Sequence, residues 1–110
     1  MDISTKSKKE MQYVFIHELV SIVEYWVNLK GVSEKEKCKG VAFSIMNIFD
    51  GTSGGFPCAI DLVLNPHPDD KQYCIENDEN YIEKGVVIND DLLLHDLLSK
   101  YNRHSVLAEV

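Results

Sequence analysis

The first half of the chain repeats apolar residues at helical spacing. One row recurs every three or four positions over residues 11–29, and the same spacing returns over residues 38–49. Because an α-helix brings such positions onto one face, both stretches are predicted to be amphipathic helices. The first helix is expected to begin between Thr5 and Lys9 and to end at Lys30.

The ends of these helices carry recognisable capping residues. Gly31 lies where a left-handed C-terminal cap is favoured, and Ser33 with Glu36 has the spacing of a capping box. The second helix is therefore predicted to cover residues 33–49 and to pack on the first as a hairpin. Gly40 costs up to about 1 kcal/mol relative to alanine inside a helix, so we expect the first helix to cross closely there.

A second apolar row widens the stripe of the first helix, which therefore needs cover on more than one side. Either the C-terminal half of the protein or the same helix of a second copy could supply that cover. Since 110 residues offer little covering surface, a homodimer through the helix of residues 11–29 is the favoured alternative. The second apolar row consists of Ile16, Val20, Val23 and Val27, and a polar line of His17, Ser21, Glu24 and Asn28 also follows helical spacing.

The second half of the chain predicts shorter elements. Three glycines within residues 50–55 indicate a loop, and the following apolar run up to Leu64 predicts a short strand or an extended strap. A third, short helix is expected over residues 68–76. The β-branched run at residues 86–88 predicts a strand that pairs with residues 59–64 in a two-stranded ribbon.

A last helix is predicted over residues 91–101, with Asn89 or Asp90 as its N-cap. The predicted fold class is thus mostly α, or α+β at most. It comprises an N-terminal helical hairpin, two further short helices and at most one two-stranded ribbon. A hydrophobic share of 45% and a charged share of 26% are ordinary for a globular protein. We expect one domain, residues 1–110, with frayed ends at 1–6 and 103–110.

The cysteines and the hydropathy of the chain indicate its cellular compartment. Cys38, Cys58 and Cys74 form an odd set with wide spacing and no Cys-x-x-Cys pair, which favours reduced thiols over a disulfide framework or a zinc knuckle. No uninterrupted apolar run follows residues 1–10, so neither a secretion signal nor a membrane span of about 20 residues is expected. The predicted location is the cytoplasm.

The net charge of −7 lies entirely in the second half of the chain. Residues 1–50 hold seven lysines and seven acids, whereas residues 51–110 hold four bases and eleven acids. Since acidic surfaces repel phosphates, direct nucleic-acid or anionic-membrane binding is not expected, and a basic protein is the favoured partner. Solubility alone is the other explanation of the charge. The predicted partner-binding acids are Asp78, Glu79, Glu83, Asp90 and Asp91.

The string His67-Pro68-Asp69-Asp70 has the clearest chemical signature. It resembles the His-Pro-Asp-Asp motif of the zinc-dependent LmbE-like N-acetylglucosaminyl deacetylases. The resemblance implies that His67 and Asp70 bind zinc and that Asp69 is the general base. A zinc site with an open position needs a third protein ligand. That family takes it from a downstream His-x-x-His, which this chain lacks.

Two explanations of the string therefore stay open. In the first, the aspartates complement the positive N-terminus of a helix and His67 satisfies a turn, so no cofactor and no catalytic residue are predicted. In the second, His95 or Asp61 completes a zinc or manganese site in a small metal-dependent hydrolase or metal-binding protein. His95 and Asp96 are adjacent on a helix and are not expected to face each other. The first explanation is preferred.

A longer set of short strings, spread over residues 38–98, resembles a group of small uncharacterised bacterial and phage proteins. The resemblance implies a bacterial or prophage setting and carries no activity. The sequence as a whole predicts a non-enzymatic protein-binding module or modulator of a basic partner. The strings are Val41-Ala42-Phe43-Ser44-Ile45, Asp50-Gly51, Pro66-His67-Pro68-Asp69-Asp70-Lys71, Ile88-Asn89 and Leu94-His95.

Overall fold

The computed structural model describes residues 6–82 and 85–104, with side chains as far as Tyr101. Four helices and one antiparallel ribbon make up this part of the chain, which confirms the predicted mostly-α class. The elements in chain order are α1 (Lys8–Asn28), α2 (Glu34–Asp50), β1 (Val63–Leu64), α3 (Asp70–Glu76), β2 (Val86–Val87) and α4 (Leu94–His104).

Serines begin both long helices. The Ser7 hydroxyl accepts a hydrogen bond from the Glu10 amide at 3.1 Å, and the Glu10 carboxylate accepts one from the Ser7 amide, which completes a capping box. The Ser33 hydroxyl likewise accepts from the Glu36 amide at 3.2 Å. Helix α1 ends at Asn28, two residues earlier than predicted, and Gly31 follows with a φ of 77°.

Helices α1 and α2 form the predicted hairpin. Gly40 is buried, and a methyl group at its Cα would fall on the ring of Trp26. The Trp26 indole N–H donates to the Ser44 hydroxyl at 3.0 Å, so this partly buried donor has a partner. The close crossing predicted at Gly40 is confirmed. Helix α2 also packs against α4 and is therefore the central helix of the fold.

The loop after α2 turns at Gly51, which caps the helix with a φ of 78°. The chain then returns along the end of α2 as a strap, where the Ile60 amide donates to the Phe49 carbonyl at 3.0 Å. In the ribbon, Val63 pairs with Val87 and Leu64 with Val86. The predicted ribbon is confirmed, although its regular part has two residues per strand.

Two predictions about the last helix are wrong. It begins at Leu94, three residues later than expected, and Asn89 serves the strap instead of the helix. The Asn89 side chain accepts from the Leu62 amide at 2.9 Å and donates to the Ile60 carbonyl at 2.8 Å. The backbone of residues 102–104 continues this helix. Residues 1–5 and 105–110, where most of the expected fraying falls, lie outside the described part.

The fold buries little of its own apolar surface. Among the residues described, Ile48 is the one hydrophobic residue in the fully buried class. Large apolar side chains stay exposed on α1, in the ribbon and before α4, for example Val20 at 50%, Val63 at 54% and Leu93 at 42%. The described part of the chain therefore leaves apolar surface available for contact.

Candidate functional site

A regular row of exposed apolar side chains lies on α1. Five large side chains on one face of this helix are 46–67% exposed. We call them the outer row: Tyr13, Ile16, Val20, Val23 and Val27. Four of them form the second row found in the sequence, and Tyr13 extends it at the same spacing. As far as the described residues extend, the C-terminal half of the protein leaves the outer row uncovered.

The packing on the opposite side of α1 explains why the outer row is exposed. Phe15 packs on Phe49 of α2 and edge-on against Phe56, with ring centroids 6.5 and 5.8 Å apart respectively. The Glu18 carboxylate accepts a hydrogen bond from the Ser53 hydroxyl at 3.1 Å and lies against Gly55. Helix α2 and the loop after it thus occupy the inner side of α1. They touch the outer row only at its ends, where Gly55 lies beside Tyr13 and Ile16 and the Lys37 ammonium donates to the Val27 carbonyl at 3.0 Å.

Charged residues frame the outer row. Lys9 continues its three-and-four spacing at the N-terminal end, Lys30 follows the C-cap of the helix, and both are exposed. His17 and Glu24 lie seven positions apart on one edge and are also exposed. Helix α1 itself contains two lysines and three glutamates, so it is nearly neutral within a chain of net charge −7. This combination of an apolar centre and a charged rim is typical of protein–protein interfaces.

A second polar arrangement joins α2 to α4. The Asp50 side chain is 1% exposed and accepts three hydrogen bonds: from the Leu94 amide at 2.7 Å, the His95 amide at 2.8 Å and the His95 ring Nδ1 at 2.6 Å. Asp50 therefore caps the N-terminus of α4 from the end of another helix. The edge of the His95 ring also contacts Phe43, with centroids 5.6 Å apart.

The environment of Asp50 favours its ionised form. Burial raises the pKa of this carboxyl, but the hydrogen bonds from His95 and Leu94 outweigh burial, and the pKa is lowered from 3.8. On the other side of the ring, His95 Nε2 lies 3.3 Å from Asp96 Oδ1. The expectation that His95 and Asp96 do not face each other is therefore wrong, because the imidazole lies across the start of the helix.

Sequence reasoning missed Asp50, although a physical signal was present. Asp50 is the last residue of α2, and a carboxylate is disfavoured at the negative C-terminal end of a helix. An aspartate at such a position has to be stabilised by groups from elsewhere in the chain. Here those groups are the free N–H groups at the start of α4, 44 and 45 residues away in sequence.

The predicted metal ligands lie apart. His67 and Asp70 line one shallow depression beside α3, Asp61 is exposed on the strap, and His95 is held by Asp50. His67 Nδ1 accepts from the Asp69 amide at 3.2 Å and lies 3.7 Å from the Asp69 carboxylate, both side chains being largely exposed. Within residues 6–82 and 85–104, no three His, Cys, Asp or Glu side chains are grouped to hold a metal ion.

The predicted partner-binding acids occupy two loops. Asp78 and Glu79 follow α3, and Asp90 and Asp91 precede α4, and all four are exposed. Glu83 lies outside the described residues. Asp78 adopts a left-handed backbone conformation with a φ of 52°, which aspartate tolerates better than most residues.

Comparisons with protein families, curated proteins and solved structures found no match for this chain. The two resemblances noted in the sequence therefore stay predictions. In the part of the chain that the structure describes, no helix is both long and apolar enough to cross a bilayer. All three cysteines are free thiols.

Proposed function

We propose that the protein is a non-enzymatic protein-binding module. The observation that supports this most strongly is the outer row of α1, whose large apolar side chains are about half exposed or more. Contiguous apolar surface of this kind is uncommon on a protein that acts as an isolated monomer, and it marks docking sites when polar residues surround it. The low burial of the whole fold has the same implication.

The partner is a basic protein, held by the exposed acids of the second half. Asp78, Glu79, Asp90 and Asp91 are exposed, and residues 51–110 carry the entire negative excess. Such a field attracts a basic surface and speeds its association. By the resemblance to bacterial and phage proteins, the module acts as a modulator in a bacterial or prophage setting.

We further propose a cytoplasmic location and self-association through α1. Exposed free cysteines, here Cys38 and Cys58, persist in reducing compartments. The outer row is the surface available for a second copy. These two parts of the proposal are independent of the identity of the basic partner.

The basic partner is tested by affinity capture from bacterial lysate with the full chain, at low and at high salt. We expect a basic protein to be retained at low salt and to be lost as salt screens the charges. The matched variant replaces four acids with amides (Asp78→Asn, Glu79→Gln, Asp90→Asn and Asp91→Asn) and should lose the same protein. Capture that is insensitive to salt and to this variant would contradict the proposal, as would the absence of any captured protein.

A further inference from the structure

We infer that α1 binds α1 of a second copy in antiparallel orientation, about a two-fold axis that passes between Val20 and Val23. This inference rests on the proposed binding function and names the second copy as the occupant of the outer row. Three properties of the described surface support it: its spacing, its charges and its length.

The spacing of the outer row is that of a coiled-coil seam. Its residues alternate steps of three and four, and Lys9 continues the same alternation at the N-terminal end of α1. Residues repeated in this way stay on the line of contact between two supercoiled helices, whereas a general surface helix has a broader stripe. The outer row thus has the pattern of a helix that pairs with another helix.

The charges at the ends favour the antiparallel orientation. In a parallel pair, Lys9 would face Lys9 of the second copy, so that like charges would meet at one end of the seam. In an antiparallel pair, the two Lys9 side chains lie at opposite ends of the seam. The helix dipoles also oppose each other favourably in that orientation.

The register of the two helices is the one that buries no lysine in the middle of the seam. With the axis between Val20 and Val23, these two valines pair across the seam and Ile16 pairs with Val27 of the second copy. If the second helix were shifted by one layer of paired side chains, Lys9 would instead lie against Val27 of the second copy. The chosen register therefore pairs the four aliphatic side chains of the outer row with one another and leaves Lys9 at the end of the seam.

The edge charges agree with this arrangement. A two-fold axis across the helices brings the same edge of both copies together with the direction reversed. His17 of one copy then lies opposite Glu24 of the other, and the pair occurs twice. Because α1 is nearly neutral, two copies can approach through it although the chain carries a net charge of −7.

The length of α1 suits such a dimer. Its 21 residues span about 31 Å, and the five outer-row side chains, each 46–67% exposed, extend over two heptads. The face is thus long enough for paired contacts on both sides of the two-fold axis.

Self-association is tested by sedimentation equilibrium of the full chain over a concentration series. We expect a dimer of twice 12.5 kDa at micromolar concentration. The double variant Val20→Glu with Val23→Glu places four carboxylates in one seam and should weaken the dimer by at least about 100-fold, on the order of 2.7 kcal/mol. The matched control is Ile75→Glu on α3, an equally exposed apolar helical position at 63%, which should leave the mass unchanged.

Orientation is tested by disulfide trapping in chains whose three cysteines are replaced by serine. One chain carries Ile16→Cys, the other carries Val27→Cys, and the two are mixed and oxidised. The antiparallel register predicts a mixed disulfide between the two chains. It predicts little pairing of either chain with itself, because identical positions lie 11 residues, or about 16 Å, apart along the helix. This readout does not depend on a destabilising substitution.

The outcomes separate the inference from the proposed function. A wild-type chain that is monomeric at every concentration, or that traps position 16 with position 16, overturns the inference. If that monomer still captures a basic protein, the proposed function stands without the homodimer. An antiparallel dimer that captures no other protein supports the inference and contradicts the basic-partner part of the proposed function.

Discussion

Replacement of Asp50 by asparagine tests how the C-terminal helix is held. In the wild type, the two carboxylate oxygens accept N–H groups from Leu94 and His95. Asparagine keeps one acceptor oxygen but presents an amide N–H₂ to the other donor. The variant therefore loses the charge and one hydrogen bond, and leaves a backbone N–H of α4 without a partner at a site where the side chain is 1% exposed.

The size of the effect follows from these losses. Hydrogen bonds to charged groups contribute about 1.5–3 kcal/mol, and an unsatisfied buried donor costs about 1–3 kcal/mol. Since the remaining acceptor keeps part of the interaction, we expect Asp50→Asn to lower the free energy of unfolding by about 3 kcal/mol. For a chain of this size that corresponds to a fall in Tm of roughly 12–20 °C.

Urea unfolding followed by far-UV circular dichroism measures this change, at one fixed protein concentration because self-association adds to stability. The matched control is Asp91→Asn, an exposed carboxylate in the segment just before α4, which should change stability by less than about 0.5 kcal/mol. Equal effects of the two variants, or a large effect of Asp91→Asn alone, would show that α4 is capped locally and would refute the role given to Asp50.

Three further predictions concern pH, packing and the rim of the dimer. Because the pKa of Asp50 is lowered from 3.8 in the folded protein, its ionisation stabilises the fold above the unfolded-state pKa, and this contribution is lost as pH falls below about 4. Urea titrations at stepwise lower pH should show it, and Asp50→Asn should reduce the slope. Gly40→Ala should destabilise the hairpin by about 1–2 kcal/mol although alanine favours helices, because its methyl group meets the Trp26 indole of α1. The control is Gly54→Ala, since nothing lies within 4 Å of a methyl group at that position. A Gly40→Ala protein that is more stable than the wild type would contradict the close crossing. His17→Glu should weaken the dimer several-fold in sedimentation, and adding Glu24→Lys should restore it; failure of the second change to restore binding would count against the antiparallel rim.

The sequence by itself determined the features that depend on near neighbours. Apolar spacing located α1 and α2, and the capping serine Ser33 placed the start of α2 within one residue. The hairpin and the close crossing at Gly40 also followed from the sequence. These features depend on interactions between residues within about four positions, or between two helices joined by a short connection, and such interactions can be inferred from spacing and residue type. The ribbon pairs residues that are distant in sequence, such as Leu64 and Val86, and its prediction came from the strand-forming composition of the two segments.

Only the tertiary structure decided the rest. Helix α4 starts at Leu94 and not at the predicted Asp91. The reason is that its N-terminus is capped by Asp50, 44 residues earlier in the chain, and not by the nearby Asn89. The exposure of the outer row also required coordinates, since its residues would have the same spacing whether the C-terminal half covered them or not. Both features depend on which distant surfaces pack together, and that is set by the balance of burial over the whole molecule, which local spacing does not determine.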